Sequence, residues 1–350
     1  MTAIDLRSDT VTKPTDEMRR AMAAAEVGDD VFGEDPSINE LQERSAALLG
    51  KEAGLLTSSG TMSNLIATLA WSSKGDEIIM GDEAHMFWNE SAGQAALGGV
   101  QTRLVPNDPQ GRINPDDVAA AIRPPGNLHF PRTSMVCLEN THNRCSGQVL
   151  TPEDTKAVCD VAHDAGVPVH LDGARIFNAS VALEVPPVEL TRDVDDLSFC
   201  LSKSLSCPVG SVLVGSQEFV DNAKRWRKML GGGMRQAGIL AAAGLVALDT
   251  MIDRLAEDHQ NARRLAQGLA NIDGLSVDPE SIQTNIVFFE VDEELGTAAD
   301  LIAALKNHGV LVSYPGKQSI RMVTHRHITP EDIEEALSRT SAAVRELRAG

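Results

Sequence analysis

The sequence predicts an α/β protein whose large domain contains a mainly parallel sheet and whose small C-terminal domain is of the α+β class. Between residues 38 and 235, short β-rich runs alternate with helical patterns, which indicates parallel strands joined by crossover helices. After a long helical region at residues 236–271, strands and helices follow in a different order. A chain of 350 residues is also longer than most single domains. We therefore assign residues 1–250 to the large domain and residues 251–350 to the small one.

The elements of the large domain follow from short apolar runs. Residues 1–35 read as an irregular arm with one amphipathic helix at Asp16–Ala25. The uncharged run Ala237–Leu248 is too short to span a bilayer, so we expect a buried helix there. The predicted strands are Ile78–Gly81, Thr102–Val105, Ser134–Leu138, Val167–Leu171, Leu197–Leu201 and Ser211–Val214, with helices such as Asn39–Leu49 and Pro152–Ala165 between them.

The small domain is predicted to mix strands and helices. Its last helix begins where Thr329, Pro330 and Glu331 supply an N-cap, a first-turn proline and an acidic residue. The predicted elements are the strands Asn285–Val291, Val310–Ser313 and Ser319–Thr324 and the helices Ala298–His308 and Pro330–Leu347.

The charge balance excludes several classes of partner. The chain carries 50 Asp and Glu against 31 Lys and Arg, a net charge of −19. Such a chain repels phosphate backbones and anionic lipid surfaces, so we expect neither a nucleic acid nor a membrane as partner. Only nine of the cations are Lys. An acidic, Lys-poor surface suits a salt-rich cytoplasm, and a coding bias toward Arg is the alternative explanation.

The cysteine and histidine spacings indicate neither disulfides nor a metal site. The five cysteines are scattered and include no CxxC pair. His325 and His327 alternate without a carboxylate beside them, so we expect no metal there. The first ten residues contain neither the cationic nor the apolar segment of a signal peptide. We therefore predict a cytoplasmic protein.

Lys203 is the first candidate for chemistry. It directly follows the predicted strand Leu197–Leu201 and lies among small residues in the run LSKSLS. A lysine at the carboxyl end of a buried strand is well placed to form a Schiff base with an aldehyde. A solvated loop lysine is the ordinary alternative, and the residue alone does not decide between them.

Asp172 and Arg175 form a second candidate pair, in the run HLDGAR. A buried carboxylate at a strand end can pair with a pyridinium nitrogen, and the planar guanidinium fork suits a carboxylate or a phenolate. The alternative for Asp172 is a helix N-cap.

A third signal, TSSGTMSN at residues 57–64, places Ser59, Gly60 and Thr61 at a helix start, where backbone N–H groups can cradle an anion. An ordinary capped helix is the alternative there.

A Schiff-base lysine, a strand-end Asp and an anion cradle together match the needs of pyridoxal phosphate. The chain resembles the low-specificity L-threonine aldolase family, which has the aspartate-aminotransferase fold, the transferase-like fold type I of the pyridoxal-phosphate enzymes. The resemblance covers nearly the whole chain and is carried by the motifs DLRSDTVT (5–12), GDDVFGEDP (28–36), LENTHN (138–143), DGARIFN (172–178), RWRKMLGGGMRQ (225–236) and RMVTH (321–325).

The resemblance implies a role for each candidate residue. The cofactor would be bound by Ser59, Gly60 and Thr61 at the phosphate, His85 stacked on the ring, Asp172 at the ring nitrogen, Arg175, and Lys203 as the Schiff-base lysine. The substrate would be bound by Ser8, Arg175 and Arg321 at its carboxylate and by His142 near its β-hydroxyl. Lys228 and Arg235 would lie close to the site and reach the phosphate of a neighbouring subunit, in a homotetramer built as a dimer of dimers.

The activity implied by the resemblance is a retro-aldol cleavage of small 3-hydroxy-L-amino acids, threonine and allo-threonine among them, to glycine and an aldehyde. Lys203 would hold the cofactor, and His85, His142 or a water between them would take the hydroxyl proton. Two alternatives stay open: another pyridoxal-phosphate lyase, of the β-eliminating kind, and a cofactor-binding homologue without activity.

Three segments depart from the family pattern. Many members read Gly-Leu-Gly after the lysine, where this chain has Ser204 and Ser206, and glycine gives a backbone more freedom there. Phe32 stands where many members carry Tyr, and Asn89–Ser91 differs from the usual run after the stacking histidine. These departures bear on substrate preference and rate more than on the class of reaction.

Overall fold

The computed structural model describes residues 3–313 and 316–349. Its strands are β1 (Ile4–Asp5), β2 (Ala53–Thr57), β3 (Glu77–Gly81), β4 (Gln101–Val105), β5 (Thr133–Glu139), β6 (Val169–Asp172), β7 (Asp196–Cys200), β8 (Ser211–Gly215), β9 (Leu275–Ser276), β10 (Ile286–Val291), β11 (Val310–Leu311) and β12 (Ser319–Val323). Its helices are α1 (Asp16–Ala24), α2 (Pro36–Leu48), α3 (Gly60–Trp71), α4 (His85–Trp88), α5 (Gly93–Ala96), α6 (Pro115–Ala121), α7 (Pro152–Asp164), α8 (Ile176–Leu183), α9 (Pro187–Thr191), α10 (Gln217–Met229), α11 (Gly238–Thr250), α12 (Leu255–Leu269), α13 (Ala298–Asn307) and α14 (Pro330–Ala349). Short 3₁₀ turns lie at Asp9–Val11, Asp30–Phe32, Pro279–Ser281 and Glu293–Leu295.

The central sheet has seven strands in the order β2-β8-β7-β6-β5-β3-β4. Strands β3 to β7 pair in parallel, whereas β8 is antiparallel to both of its neighbours. Because β2 is antiparallel to β8 and β8 is antiparallel to β7, β2 runs in the same direction as the parallel strands. Six carboxyl ends therefore meet at one edge of the sheet, where ligands bind in folds of this kind. The predicted α/β class with a mainly parallel sheet is confirmed.

Both faces of this sheet are covered by helices. Successive residues of β8 alternate between two cores, with Leu213 in one and Val212 and Val214 in the other. The first core is formed with α3 and α10, and the second with helices that include α2, α8 and α11. Burial on both faces explains why these strands are continuous apolar runs in the sequence.

Strand β2 was not predicted. Its residues, AGLLT, include an alanine and a glycine and only one β-branched side chain, so its intrinsic preference for a strand is weak. Five backbone pairings with β8, from Ala53 opposite Gly215 to Thr57 opposite Ser211, hold it in the sheet. Tertiary pairing therefore decides this element.

The helical region predicted at residues 236–271 consists of α11 and α12, which are separate helices. The apolar run forms α11 as predicted, and the small residues of that helix lie buried against α1 and α2. A Cβ on Gly244 would lie 2.8 Å from Leu41 Cδ2, so glycine allows the close approach of α11 and α2, and a larger residue would force the Leu41 side chain to shift. Among the described helices, none is long and apolar enough to cross a membrane.

A second core lies around the strands β9, β10 and β12 and the helices α12, α13 and α14. Thr329 caps α14 by accepting the Asp332 N–H at 3.2 Å, as predicted. The arm also contributes, because β1 pairs with β11 and both Ile4 and Leu6 are buried in this core. The arm is thus less irregular than predicted. The division of the chain at residue 250 stays a prediction.

Candidate active site

The carboxyl edge of the sheet brings the predicted residues together. Asp172 ends β6, Lys203 follows β7, and the run that contains His142 follows β5. Gly60 follows β2, and His85 follows β3. Each loop leaves a parallel strand at the same edge, so residues far apart in sequence meet there.

Asp172 is 3% exposed at the end of its strand. Since α8 begins only at Ile176, Asp172 is not the N-cap of that helix. Burial by itself would raise the pKa of the Asp172 carboxyl, but His85, Lys203 and His170 hold that pKa below its ordinary value. Asp172 is therefore a carboxylate in a buried site, as pairing with a protonated ring nitrogen requires.

Asn64 and Glu90 lie beside Asp172 and were not predicted as site residues. Asn64 donates one amide N–H to Asp172 Oδ2 and the other to Glu90 Oε1, each at 2.9 Å. Glu90 Oε1 also lies 2.9 Å from His85 Nδ1. Asn64 stands one helical turn after Gly60 at the start of α3, and that spacing is the sequence signal that would have placed it on the same face.

His85 begins α4 and is held by two acidic residues. Its backbone N–H donates to Glu139 Oε2 at 2.6 Å, and its side chain contacts Glu90. Burial lowers the pKa of His85, but the hydrogen bond to Glu90 and the charges of Asp172 and Glu139 together raise it. Burial raises the pKa of Glu90 itself. Glu139, which ends β5, also accepts the Asn143 N–H at 2.8 Å and so joins the two histidine-bearing loops.

Three side chains of this site also have the spacing of metal ligands. His85, Glu90 and Asp172 offer ligand atoms within 4.8 Å of one another, and they are the one such group found in the described part of the chain. Because Asn64 already donates to both carboxylates, hydrogen bonds account for the cluster without an ion. That no metal binds here stays a prediction.

The start of α3 has the geometry of an anion cradle. Ser59 is the N-cap and accepts the Met62 N–H at 3.2 Å. The N–H groups of Gly60 and Thr61, in the first turn, have no acceptor within the helix. A Cβ on Gly60 would lie 2.8 Å from Cys200 Sγ, so glycine lets the helix start approach the end of β7. The predicted Ser59, Gly60 and Thr61 thus lie at a helix N-terminus on the same edge of the sheet as Asp172.

Lys203 lies in a turn after β7 that its backbone carbonyl helps to close. That carbonyl accepts the Ser206 N–H at 2.8 Å and the Thr12 hydroxyl at 2.9 Å. The Lys203 ammonium lies close enough to Asp9 and Asp172 to lower the pKa of both carboxyls. The arm and the strand end therefore meet around this lysine.

Arg175 makes an ion pair that the sequence did not predict. Its Nε and Nη2 donate to the two carboxylate oxygens of Asp9 at 2.7 and 2.8 Å. Burial would raise the pKa of Asp9, but Arg175 holds it far below its usual range. Ser204, a departure from the family pattern, donates its hydroxyl to Asp9 Oδ2 at 2.9 Å. Asp9 lies within the motif DLRSDTVT, which is the signal that pointed to it.

Arg321 is a half-buried cation, and no ion pair with a described residue is found for it. Its Nη1 donates to Asn143 Oδ1 at 2.8 Å, the same oxygen that faces Arg175 Nη1 at 3.4 Å. Its Nη2 donates to the Arg7 carbonyl, next to the predicted Ser8. Burial and the repulsion of Arg175 lower the pKa of Arg321 to about 10. A carboxylate ligand would relieve both costs.

His142 is 2% exposed, and its Nδ1 is buried without a hydrogen-bond partner among the described residues. It pairs with Gln148 across a tight turn, its backbone N–H donating to the Gln148 carbonyl at 2.9 Å. Gly111, which has a φ of +78°, packs on it so closely that a Cβ would lie 2.7 Å from His142 Cβ. The unpartnered nitrogen leaves this histidine free to contact a ligand.

Lys228 and Arg235 lie apart from these residues. Lys228 is exposed and lines a cleft with Phe32 and Gly233, while Arg235 pairs with Asp29 on the surface at 2.9 Å. No ion pair or hydrogen bond joins either cation to the Lys203 region within residues 3–313 and 316–349. Phe32 is 74% exposed in the same cleft. The structure of one chain therefore does not bring these residues into the site.

Known proteins resemble this chain in sequence and in structure over most of its length. The family model for beta-eliminating lyases matches residues 5–292. Low-specificity L-threonine aldolase 1 of Arabidopsis thaliana is 45% identical over 341 residues, which cover 97% of this chain and 95% of that protein. The low specificity L-threonine aldolase of Escherichia coli K12 is 44% identical, with 95% and 96% covered.

The structure of the threonine aldolase of Leishmania major superposes with a TM-score of 0.81 at 19% identity, covering 98% of this chain and 99% of that one. That likeness supports the predicted transferase-like fold. The chain belongs to the beta-eliminating lyase family, in the group of the low-specificity L-threonine aldolases.

Proposed function

We propose that this protein cleaves L-threonine, L-allo-threonine and related 3-hydroxy-L-amino acids to glycine and an aldehyde, with pyridoxal phosphate as cofactor. The observation that carries the proposal is that Lys203 and Asp172 follow neighbouring strands at one edge of the central sheet, while Arg321 contacts Asn143 there and has no ion pair among the described residues. The full-length likeness to low-specificity threonine aldolases supports it.

The residues present fit pyridoxal phosphate. The N-terminus of α3 offers N–H groups and hydroxyls to a phosphate, Lys203 offers an amine to the aldehyde, and Asp172 offers a carboxylate to the ring nitrogen. His85 offers a flat ring for stacking. When bound, the cofactor supplies an electron sink for the bond that breaks.

The substrate carboxylate would bind to Arg321, with Ser8 and the remaining Nη1 of Arg175 beside it. Holding that carboxylate in one place fixes the rotation about the N–Cα bond of the amino acid. This rotation decides which bond of Cα is perpendicular to the cofactor ring. His142, with its unpartnered Nδ1, is the base we assign to the β-hydroxyl, and His85 or an intervening water is the second choice. Both isomers at Cβ are expected to react if the substrate hydroxyl has no rigid hydrogen-bond partner.

The proposal is tested by measuring glycine and aldehyde release from L-threonine and L-allo-threonine. Release of pyruvate and ammonia from other amino acids, without glycine, would favour the β-eliminating alternative. A Lys203→Ala variant should lose the yellow colour of the bound cofactor together with activity.

An Arg321→Ala variant should keep the colour and raise KM by at least about tenfold, because a hydrogen-bonded charge pair is lost. A normal KM in that variant would remove Arg321 from the carboxylate site.

We also propose that the site is completed by a second copy of the chain, in a homotetramer. Val31, Phe32 and Met229 are exposed apolar side chains next to the exposed Lys228, on a face that nothing covers within the described residues of one chain. A Phe32→Glu variant should dissociate in sedimentation and lose activity together. Five cysteines without disulfides fit a reducing cytoplasm.

A further inference from the structure

Behind Asp172 lies a chain of three buried polar residues, which we call the buried triad: Asn64, His170 and Asp196. The side chains of His170 and Asp196 are fully buried, and Asn64 is 1% exposed. His170 stands two residues before Asp172 on β6, and Asp196 lies opposite His170 on the neighbouring strand β7. The triad therefore runs from the sheet interior to the predicted cofactor site.

The orientation of the Asn64 amide is decided by its neighbours. Both of its N–H groups point at carboxylate oxygens, those of Asp172 and Glu90. Its Oδ1 accordingly faces the other way, where it accepts the Ser198 hydroxyl at 3.0 Å and lies 3.1 Å from His170 Nε2. Because an amide oxygen only accepts, His170 must carry a proton on Nε2.

The second ring nitrogen of His170 faces a carboxylate. Nδ1 lies 2.6 Å from Asp196 Oδ1, while Asp196 Oδ2 accepts the Trp71 indole N–H at 2.7 Å. Burial lowers the pKa of His170, but Asp196, together with Asp172 and Glu90, raises it. Because one ring nitrogen faces a carboxylate and the other faces an amide oxygen, both act as donors, and we assign His170 as an imidazolium between Asp196 and Asn64.

The other groups near His170 do not reverse this assignment. Asp172 and Glu90 also face the imidazole and favour its charge. Cys137 on β5 is a neutral thiol, because burial raises its pKa well above the ordinary value. A positive charge is thus placed one amide away from the Asp172 carboxylate.

We propose that the buried triad consists of positioning residues that keep Asp172 ionised and aimed at the ring nitrogen of the cofactor. Hydrogen bonds in series polarise one another, so the imidazolium strengthens the N–H that Asn64 donates to Asp172. None of the three touches substrate in this arrangement. The inference rests on the proposed function, since it assigns a purpose to the ionised Asp172.

The first test uses the wild-type enzyme without cofactor. In the ¹⁵N spectrum of the histidine side chains at pH 8, the signals of His170 are those that a His170→Gln variant lacks. Their chemical shifts should show that both ring nitrogens are protonated. A neutral imidazole at that pH would overturn the proposal. This measurement requires neither turnover nor a variant that keeps full stability.

The second test compares two variants with bound cofactor. Asp196→Asn removes the charge that holds the imidazolium but keeps an acceptor for Trp71. Ser198→Ala is the matched control, because it removes the other donor to the same Asn64 oxygen and leaves the ion pair intact. In Asp196→Asn, the Asp172 carboxylate should hold the proton on the ring nitrogen of the cofactor less strongly. The Lys203 nitrogen, which is joined to the cofactor, should then keep its own proton to a higher pH.

The midpoint pH of the absorbance change of the bound cofactor should therefore rise by about one unit in Asp196→Asn and stay nearly constant in Ser198→Ala. The kcat should fall about tenfold in Asp196→Asn, with KM unchanged. Equal shifts in both variants, or an unchanged midpoint in Asp196→Asn, would contradict the triad. If the wild type binds cofactor but releases no glycine, the proposed function fails while the absorbance test still reads out the triad.

Discussion

At the scale of single residues, Arg175 and Arg321 differ in how much of their charge is available to a ligand. Arg175 directs two donors at Asp9, which leaves only Nη1 toward the site, whereas Arg321 contacts neutral oxygens alone. A buried cation without a counter-ion is costly unless a ligand neutralises it. The sequence treated the two arginines alike, and the difference became visible only with Asp9 in place.

Ser206 provides the first prediction at this scale. It has a φ of +63° and is fully buried, so its side chain sits in a backbone conformation that favours glycine. A Ser206→Gly variant should raise the free energy of unfolding by about 1 kcal/mol. The relief of backbone strain in the folded state exceeds the stabilisation of the unfolded chain by the greater conformational freedom of glycine. Thermal unfolding of the cofactor-free enzyme measures this change.

Ser204 is the matched control two residues earlier. Its φ is not positive, and its hydroxyl donates to Asp9 while it accepts from Asn285 at 3.2 Å. Ser204→Gly should therefore lower the free energy of unfolding by about 1 kcal/mol. The same change of residue would thus have opposite signs at the two positions, and equal signs would show that backbone strain does not decide the outcome.

At the scale of elements, the contact between α11 and α2 decides whether α11 tolerates a residue larger than glycine at position 244. In an exposed helix, alanine is better than glycine by about 1 kcal/mol. At Gly244, however, a Cβ would lie 2.8 Å from Leu41 Cδ2, so Gly244→Ala should destabilise the protein by about 1–3 kcal/mol. Urea unfolding of the single variants and of the double variant with Leu41→Ala measures the effect.

The double variant separates the two causes. If overpacking is responsible, the alanine at 244 costs less once Leu41 is shortened, and the two changes are not additive. Additive costs would mean that the helices do not meet as described.

At the scale of the whole molecule, His259 links stability to pH. It lies on α12, 1% exposed, with Nε2 facing Asn178 of α8 at 3.1 Å, and burial together with Arg263 and Arg254 lowers its pKa to about 4. In the unfolded chain a histidine titrates near 6.5. The unfolded state thus binds more protons between these values, so stability is complete above pH 6.5 and falls as pH falls toward 4.

The expected loss from this one group is up to about 3 kcal/mol between pH 6.5 and 4. A His259→Gln variant should flatten the pH dependence of unfolding in that window. Identical curves for wild type and His259→Gln would contradict the assignment. The acidic, Lys-poor surface adds a prediction of its own, a gain in stability with salt, which stays a hypothesis about the host.

Much of the fold followed from periodicity, and some of it did not. The apolar runs of β3, β5, β6, β7 and β8 were visible because strands buried on both faces are mostly apolar. By contrast, β2 and β1 depend on partners far along the chain, β8 for one and β11 for the other. Local preference says little about such elements.

The candidate site divides in the same way. By itself the sequence determined the fold class, the strand-end positions of Lys203 and Asp172, and the helix start at Gly60, because each rests on neighbours in the chain. Only the tertiary structure decided that Asp9 pairs with Arg175, that Arg321 has no acidic partner among the described residues and that Asn64 joins Asp172 to His170. Those contacts join residues more than one hundred positions apart, and a hydrogen bond is set by distance and direction in space, which no local pattern records.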